Sequence, residues 1–222
     1  MARGRPKTLA KLKQRIQTYD IAKHWLCEDK AMKQAKTLTA AELRRVLDYI
    51  ATRKHAARNR ALVLCSHWAG MRVGEIASLL YADVVDKDGT IRSEILLTPE
   101  QTKGNEARTV FLNERLRKEL AAYIKQTPFS THPKTKLFYT QKRQLDGFTA
   151  NTLTQHFHYL YKNVGLVGCS SHSGRRSFVT TLAAKGISVR VLAALAGHKS
   201  IATTQKYIDV NDDMKRKAVE LI

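Results

Sequence analysis

The chain has 222 residues, with 39 Lys and Arg against 19 Asp and Glu, which gives a formal charge of +20 and an isoelectric point of about 10.1. That length allows one domain, or one domain with an appendage, around a sizeable core. The cationic excess favours a polyanion such as nucleic acid, because each phosphate neutralised releases condensed counterions. A ribosomal or chromatin-like protein would share this charge, so it identifies a class of partner and no activity. Cys27, Cys65 and Cys169 are odd in number, widely spaced and without a CxxC pair, which speaks against a disulfide framework and a zinc site. No apolar run approaches the roughly 18 residues of a membrane span, and the amino terminus lacks an apolar signal core. The expectation is a soluble, cytoplasmic protein drawn to the nucleoid.

Residues 1–36 read as a basic arm whose only acids are Asp20, Glu28 and Asp29. Its tip, Arg3-Gly4-Arg5-Pro6-Lys7, resembles an AT-hook core, in which Arg3, Arg5 and Lys7 would enter a narrow minor groove; the simpler alternative is a solvated basic tail. A folded domain over residues 37–210 is expected to begin at Thr39-Ala40-Ala41-Glu42, a capping box followed by Leu43, Val46, Leu47 and Ile50 at helical spacing. Helices over 58–69 and 73–80 follow, divided by Gly70. Val84-Val85, 91–97 and 109–112 read as β-runs. Asp86-Lys87-Asp88-Gly89 and Lys103-Gly104-Asn105-Glu106 supply the turns between them, giving a small antiparallel sheet. Helices are then expected over 114–126, 149–164, 173–185, 188–196, 201–207 and 212–221, the last in a carboxy-terminal tail over 211–222. The fold class is therefore mainly α with a small antiparallel β-sheet (α+β).

The chemistry-bearing residues gather late in the chain. His172-Ser173-Gly174-Arg175 puts an imidazole and a guanidinium three residues apart, on one face of a helix, where both could grip a phosphate. Gly197-His198-Lys199 follows, then Tyr207 nine residues beyond His198. Taken singly, each has a bland reading: Tyr207 as packing, His198 as a helix-end cap, Arg175 as a surface charge interchangeable with Arg176. Upstream, Arg72 in Gly70-Met71-Arg72-Val73-Gly74-Glu75 stands at a helix mouth whose free N–H groups already favour an anion. Glu75, three residues on, either orients that guanidinium or complements the helix dipole. Lys103 lies in a hairpin turn, where a lysine is solvated or swings its ammonium toward a leaving oxygen. Two guanidiniums, two imidazoles, an ammonium and a phenol suit attack on a phosphodiester without metal or cofactor, because a phenol of pKa about 10 needs cations to stabilise its phenolate.

These boxes, in this order from Thr39 to Tyr207, resemble the catalytic boxes of the tyrosine recombinases, the phage-integrase family. The resemblance implies that Arg72 and Arg175 bind the scissile phosphate, His172 acts as acid or base, and Lys103 protonates the departing 5′ oxygen. It also implies that His198 holds the phosphate or nucleophile and that Tyr207 forms a 3′-phosphotyrosyl bond. The implied protein is a site-specific recombinase with a tyrosine-recombinase catalytic domain. Its substrate would be double-stranded DNA with inverted-repeat sites, engaged as a dimer to tetramer, with an accessory DNA-bending protein as a further partner. Two departures stand out. Ser173-Gly174 replace a common Asp-Leu pair, and Gly174 is a poor helix former at a helix start. About 36 residues precede the catalytic region in place of a large core-binding domain, as in the short fimbrial phase-variation recombinases and some integrative-element enzymes. A type IB topoisomerase-like relaxing enzyme and a non-catalytic DNA-binding regulator remain as alternatives. The tail either packs on its own domain or docks on a neighbouring protomer.

Overall fold

The computed structural model describes residues 35–127, 132–140 and 147–208, together with 215, 216, 219 and 220. Lys36–Ile222 forms one compact unit. The arm residues Arg3, Arg5 and Lys7 lie outside the described residues, as does most of the tail; within it, Glu220 N–H donates to the Arg216 carbonyl at 3.1 Å, a helical turn. The elements are α1 (Ala40–Ala51), α2 (Ala56–Trp68), α3 (Val73–Ser78), α4 (Tyr81–Val84), β1 (Glu94–Leu97), a 3-10 turn (Pro99–Gln101), β2 (Arg108–Phe111), α5 (Glu114–Lys125), α6 (Ala150–Asn163), α7 (Ser173–Ala184), α8 (Val189–Ala196) and α9 (Ile201–Gln205). The fold is mainly helical with a two-stranded antiparallel sheet.

Helix α1 starts where its sequence says it should. Thr39 Oγ1 accepts the Glu42 N–H at 3.2 Å while Glu42 Oε2 accepts the Thr39 N–H at 2.9 Å, so two orphan donors are satisfied reciprocally. Leu43, Val46 and Ile50 then form one buried stripe. Helix α2 differs: Ala61, Leu62, Val63, Leu64 and Cys65 are all buried, so it is walled in on every side. It packs against α1, α5 and, most extensively, α7. Each of Leu62 and Leu64 contributes on the order of 1.5–3 kcal/mol by burial alone. Helix α6 opens with Thr149 Oγ1 accepting the Thr152 N–H at 3.1 Å, and buries Leu153, Phe157, Leu160 and Tyr161.

The α2–α7 contact explains an oddity of the sequence. A Cβ added to Gly174 would sit 2.7 Å from Ser66 Oγ and 3.0 Å from Ser66 Cβ. Gly174 is therefore a residue of close helix approach rather than a weakness at a helix start. The sheet is smaller than the sequence pattern suggests. β1 and β2 pair with Glu94 opposite Phe111 and Leu97 opposite Arg108, burying Ile95, Leu97 and Val110. Val84 closes the short helix α4, whose Leu80 N–H is held by Asp83 Oδ2 at 2.8 Å, and Val85 makes a single bridge to Ile91. Of the three expected β-runs, the first is thus not a strand, because a two-residue apolar run carries no period.

Candidate active site

The centre of the site is the carboxy-terminal end of α8. Gly197, at φ 61° and ψ 51°, takes the left-handed conformation that ends the helix. The Gly197 N–H returns to the Ala194 carbonyl at 3.0 Å and the His198 N–H to the Ala193 carbonyl at 2.9 Å. Those turns satisfy two carbonyls and leave the next three exposed at the negative end of the helix dipole. Three arginines from three different elements take them. Arg108 Nη1 donates to the Leu195 carbonyl at 2.9 Å, Arg175 Nη2 to the Ala196 carbonyl, and Arg72 Nη2 to the Gly197 carbonyl at 2.8 Å.

Glu75 ties two of these guanidiniums together beneath the surface. Its side chain is 1% exposed. Oε1 accepts from Arg72 Nη1 at 2.8 Å and from Arg108 Nε at 3.1 Å, while Oε2 accepts from Arg108 Nη2 at 2.7 Å and from the Arg72 N–H at 2.7 Å. Burial alone pushes the carboxyl up, but Arg108 and then Arg72 outweigh it and hold the group below the ordinary carboxylate range. Glu75 is thus bonded to both the backbone and the guanidinium of Arg72. Arg108 was not among the expected site residues. An arginine at a strand start carries no local mark of a buried carboxylate partner, although Glu75 beside Ile76 and Ala77 signals that such a partner is needed.

Arg175 is 6% exposed, and its Nη1 also donates to the Gly70 carbonyl at 2.5 Å. Burial, and next the charge of Arg72, draw its pKa down to about 9, so it remains a cation at neutral pH. It is not a surface charge, and Arg176 cannot replace it, because Arg176 instead stands 5.5 Å from the centre of the Tyr207 ring. His172 is the N-cap residue of α7. Burial, then Arg175, Lys103 and Arg72, lower its pKa, leaving the imidazole neutral at neutral pH.

His198 lies beside this cationic cluster. Its Nδ1 pairs with Thr204 Oγ1 at 2.8 Å, and Thr204 is fully buried on α9. Burial first, then Arg175, Arg72 and Arg108, press its pKa down to about 4. Tyr207 stacks on the His198 ring, with centroids 5.7 Å apart and planes 16° off parallel. Its backbone is fixed at both ends, the N–H to the Thr204 carbonyl at 2.9 Å and the carbonyl to Thr180 Oγ1 at 3.3 Å. Thr204 is a second residue that sequence reading did not single out.

Lys103 sits on the β1–β2 connection, exposed, as the turn chemistry implied. Thr102 Oγ1 accepts the Glu106 N–H at 3.2 Å across the tip. The hairpin forms one wall of a cleft of about 480 Å³, with Gly197, His198 and Lys199 on the other wall and Arg72 and Arg108 also lining it. The structure thus brings Arg72, Glu75, Arg175, His198 and Tyr207 into one connected cluster, with His172 and Lys103 close enough to share its field. Chemically the arrangement offers fixed positive charge, two neutral imidazoles and a positioned phenol to an oxyanion.

A sequence profile of the phage integrase family matches residues 36–214. The tyrosine recombinase XerA of Thermococcus kodakarensis is 33% identical over 189 residues, covering 83% of this chain and 62% of that protein. XerA of Pyrococcus furiosus is 28% identical over 186 residues, covering 83% and 61%. The chain therefore spans less than two thirds of the length of these relatives. Among solved structures, XerA recombinase superposes with a TM-score of 0.67 at 27% identity over 83% of this chain and 64% of that one. The Tn1549 transposon integrase in complex with a circular intermediate DNA shares the fold, with a TM-score of 0.64 at 22% identity over 86% and 67%. With the profile running through every box of the cluster, the chain belongs to the phage integrase family.

Proposed function

We propose that this protein is a site-specific DNA recombinase in which Tyr207 is the nucleophile. The observation that carries the reading is the convergence of Arg72, Arg108 and Arg175 on three successive carbonyls at the end of α8, beside the stacked His198–Tyr207 pair. Three guanidiniums held by neutral carbonyls and one shared carboxylate keep excess positive charge, and a phosphodiester is the anion that charge fits.

In the reaction, Arg72 and Arg175 hold the non-bridging oxygens of the scissile phosphate. The Tyr207 oxygen bonds to phosphorus as the bond from phosphorus to the 5′ oxygen breaks. His172, neutral beforehand, takes the phenol proton, and the Lys103 ammonium gives a proton to the 5′ oxygen. The result is a 3′-phosphotyrosyl strand end and a free 5′-hydroxyl. Attack by the 5′-hydroxyl of a second strand reverses every step, restores Tyr207 and needs no outside energy source, since the phosphodiester bond energy is kept in the covalent link. His198 supports the phosphate and stacks the nucleophile in place. The tyrosine recombinase relatives and the DNA-bound integrase with this fold support DNA as the substrate; inverted-repeat sites, engagement by a dimer to tetramer of this chain and a DNA-bending helper are part of the proposal itself. The basic arm, through Arg3, Arg5 and Lys7, adds sequence-independent contacts.

Covalent capture tests this. Wild type and Tyr207→Phe are expressed in the native host, denatured and purified, and any attached DNA is sequenced. Wild type is expected to carry DNA from a few discrete loci and the variant none. Scattered attachment would instead indicate a relaxing enzyme, and absence of attachment from a folded, DNA-binding wild type would indicate a regulator.

A further inference from the structure

An ion pair joins the cleft walls, between Glu106 on the hairpin and Lys199 beside His198, at 2.8 Å. Among the described residues Glu106 is the only acid lining the cleft, which Arg72, Lys103, Arg108 and Lys199 also line. The contact is seated rather than incidental. The Lys199 stem crosses over Gly104 so closely that a Cβ there would lie 3.0 Å from Lys199 Cε. At the same time Thr102 Oγ1 donates to the Glu106 carbonyl at 2.8 Å, fixing the loop that carries Lys103 to the residue that makes the pair. Yet both side chains are well exposed, 61% for Lys199 and 68% for Glu106, and an exposed pair of this kind is held weakly.

We propose that Glu106 and Lys199 form a latch that a DNA phosphate opens: Lys199 is a backbone-binding residue, and in the free protein Glu106 occupies it as an internal stand-in for that phosphate. The inference rests on the DNA-acting reading above and adds a contact and a gate to it. When a phosphodiester enters the cleft it meets a cluster of cations and one carboxylate. The phosphate oxygen replaces the carboxylate oxygen on the Lys199 ammonium, one anion exchanged for another. Glu106 turns to solvent, and the hairpin bearing Lys103 is released from the His198 wall. The weakness of the exposed pair suits this use, since a buried, strong pair would hold the cleft shut against its substrate.

The contact is to backbone, so a random-sequence duplex serves as probe. Its affinity is measured by fluorescence anisotropy against salt for wild type, Glu106→Gln and Lys199→Gln, both substitutions lying on exposed side chains. Removing the competing carboxylate is expected to tighten binding roughly three- to fivefold at about 50 mM salt, the effect of one charge several ångströms from a phosphate in water. Lys199→Gln is expected to weaken binding and to flatten the slope of log affinity against log salt by about 0.9, the loss of one neutralised phosphate. A Lys199→Gln protein with wild-type affinity and slope overturns the proposal, as does a Glu106→Gln protein that binds no better than wild type. If wild type also leaves the duplex unbound at low salt, the DNA-acting reading falls together with the latch. If these affinities come out as expected while covalent capture fails, the latch stands and the assignment of Tyr207 falls.

Discussion

Replacing Arg108 with Met isolates the carboxylate around which the site is built. Methionine keeps much of the stem that lies over Gly197, where a Cβ would come within 2.6 Å of Arg108 Cδ, and removes only the guanidinium. Glu75 then loses one bond from each oxygen, at 3.1 Å and 2.7 Å, and the Leu195 carbonyl loses its donor. Breaking a buried ion pair by deleting one partner costs about 3–5 kcal/mol. Because Arg72 still holds the carboxylate through two bonds, the lower end applies, about 3 kcal/mol, or roughly 6–12 °C in Tm for a domain of this size. The cost depends on pH, and its sign follows from Glu75. In wild type the folded carboxyl is depressed, so its stabilising contribution is complete above the unfolded value of about 4.5 and fades as pH falls through the folded value. Without Arg108 the depression shrinks, because burial is then opposed by Arg72 alone, and less of that contribution remains above the same value. The gap between the two proteins is therefore widest at neutral pH and narrows as Glu75 protonates. Urea unfolding at about pH 7 and about pH 4 measures it. A gap below about 1 kcal/mol at neutral pH, or one equal at both pH values, would refute the reasoning about the shared carboxylate.

Gly174→Ala gains up to about 1 kcal/mol of helix propensity but drives a methyl into Ser66, so a net loss on the order of 1–2 kcal/mol is expected from denaturant melts. Adding Ser66→Gly should recover most of it; a variant as stable as wild type would show that α2 and α7 separate freely. His198 is expected to titrate near pH 4 by NMR in the free protein and higher once duplex DNA brings a phosphate beside it. Its depressed folded value means that the stability it lends is present above the unfolded value of about 6.5 and lost on acidification toward 4. An unshifted titration would mean that neither burial nor the arginine field acts on the ring. Deleting residues 2–36 should weaken duplex binding and flatten its salt dependence, and unchanged affinity would remove the arm from the interface.

The parts of this fold that were legible in sequence are those whose cause is local. Thr39 and Glu42 cap α1 because the spacing of the capping box is itself the mechanism, and the Gly197 stop at α8 is likewise set within one turn. Val84-Val85 misled because two adjacent valines carry no period, while the Asp83 cap on Leu80 that makes α4 acts across only a few residues without a strong pattern. The site divides the same way. Arg72, Lys103, His172, Arg175, His198 and Tyr207 stand out by type and spacing, whereas Arg108 and Thr204 matter only through partners brought near by folding, Glu75 from α3 and His198 from the turn after α8. Gly174 shows the limit most plainly. Its sequence context marks a poor helix residue, and its reason, the Ser66 side chain, is more than a hundred residues away along the chain.

The central claim is that Tyr207 becomes covalently joined to DNA. The most direct measurement traps wild-type protein on DNA, digests the complex with nuclease and protease, and locates the nucleotide remnant by peptide mass spectrometry. A remnant on the peptide containing Tyr207, joined through a 3′-phosphate, is the predicted result. A remnant on any other residue, or one joined through a 5′-phosphate, would contradict it.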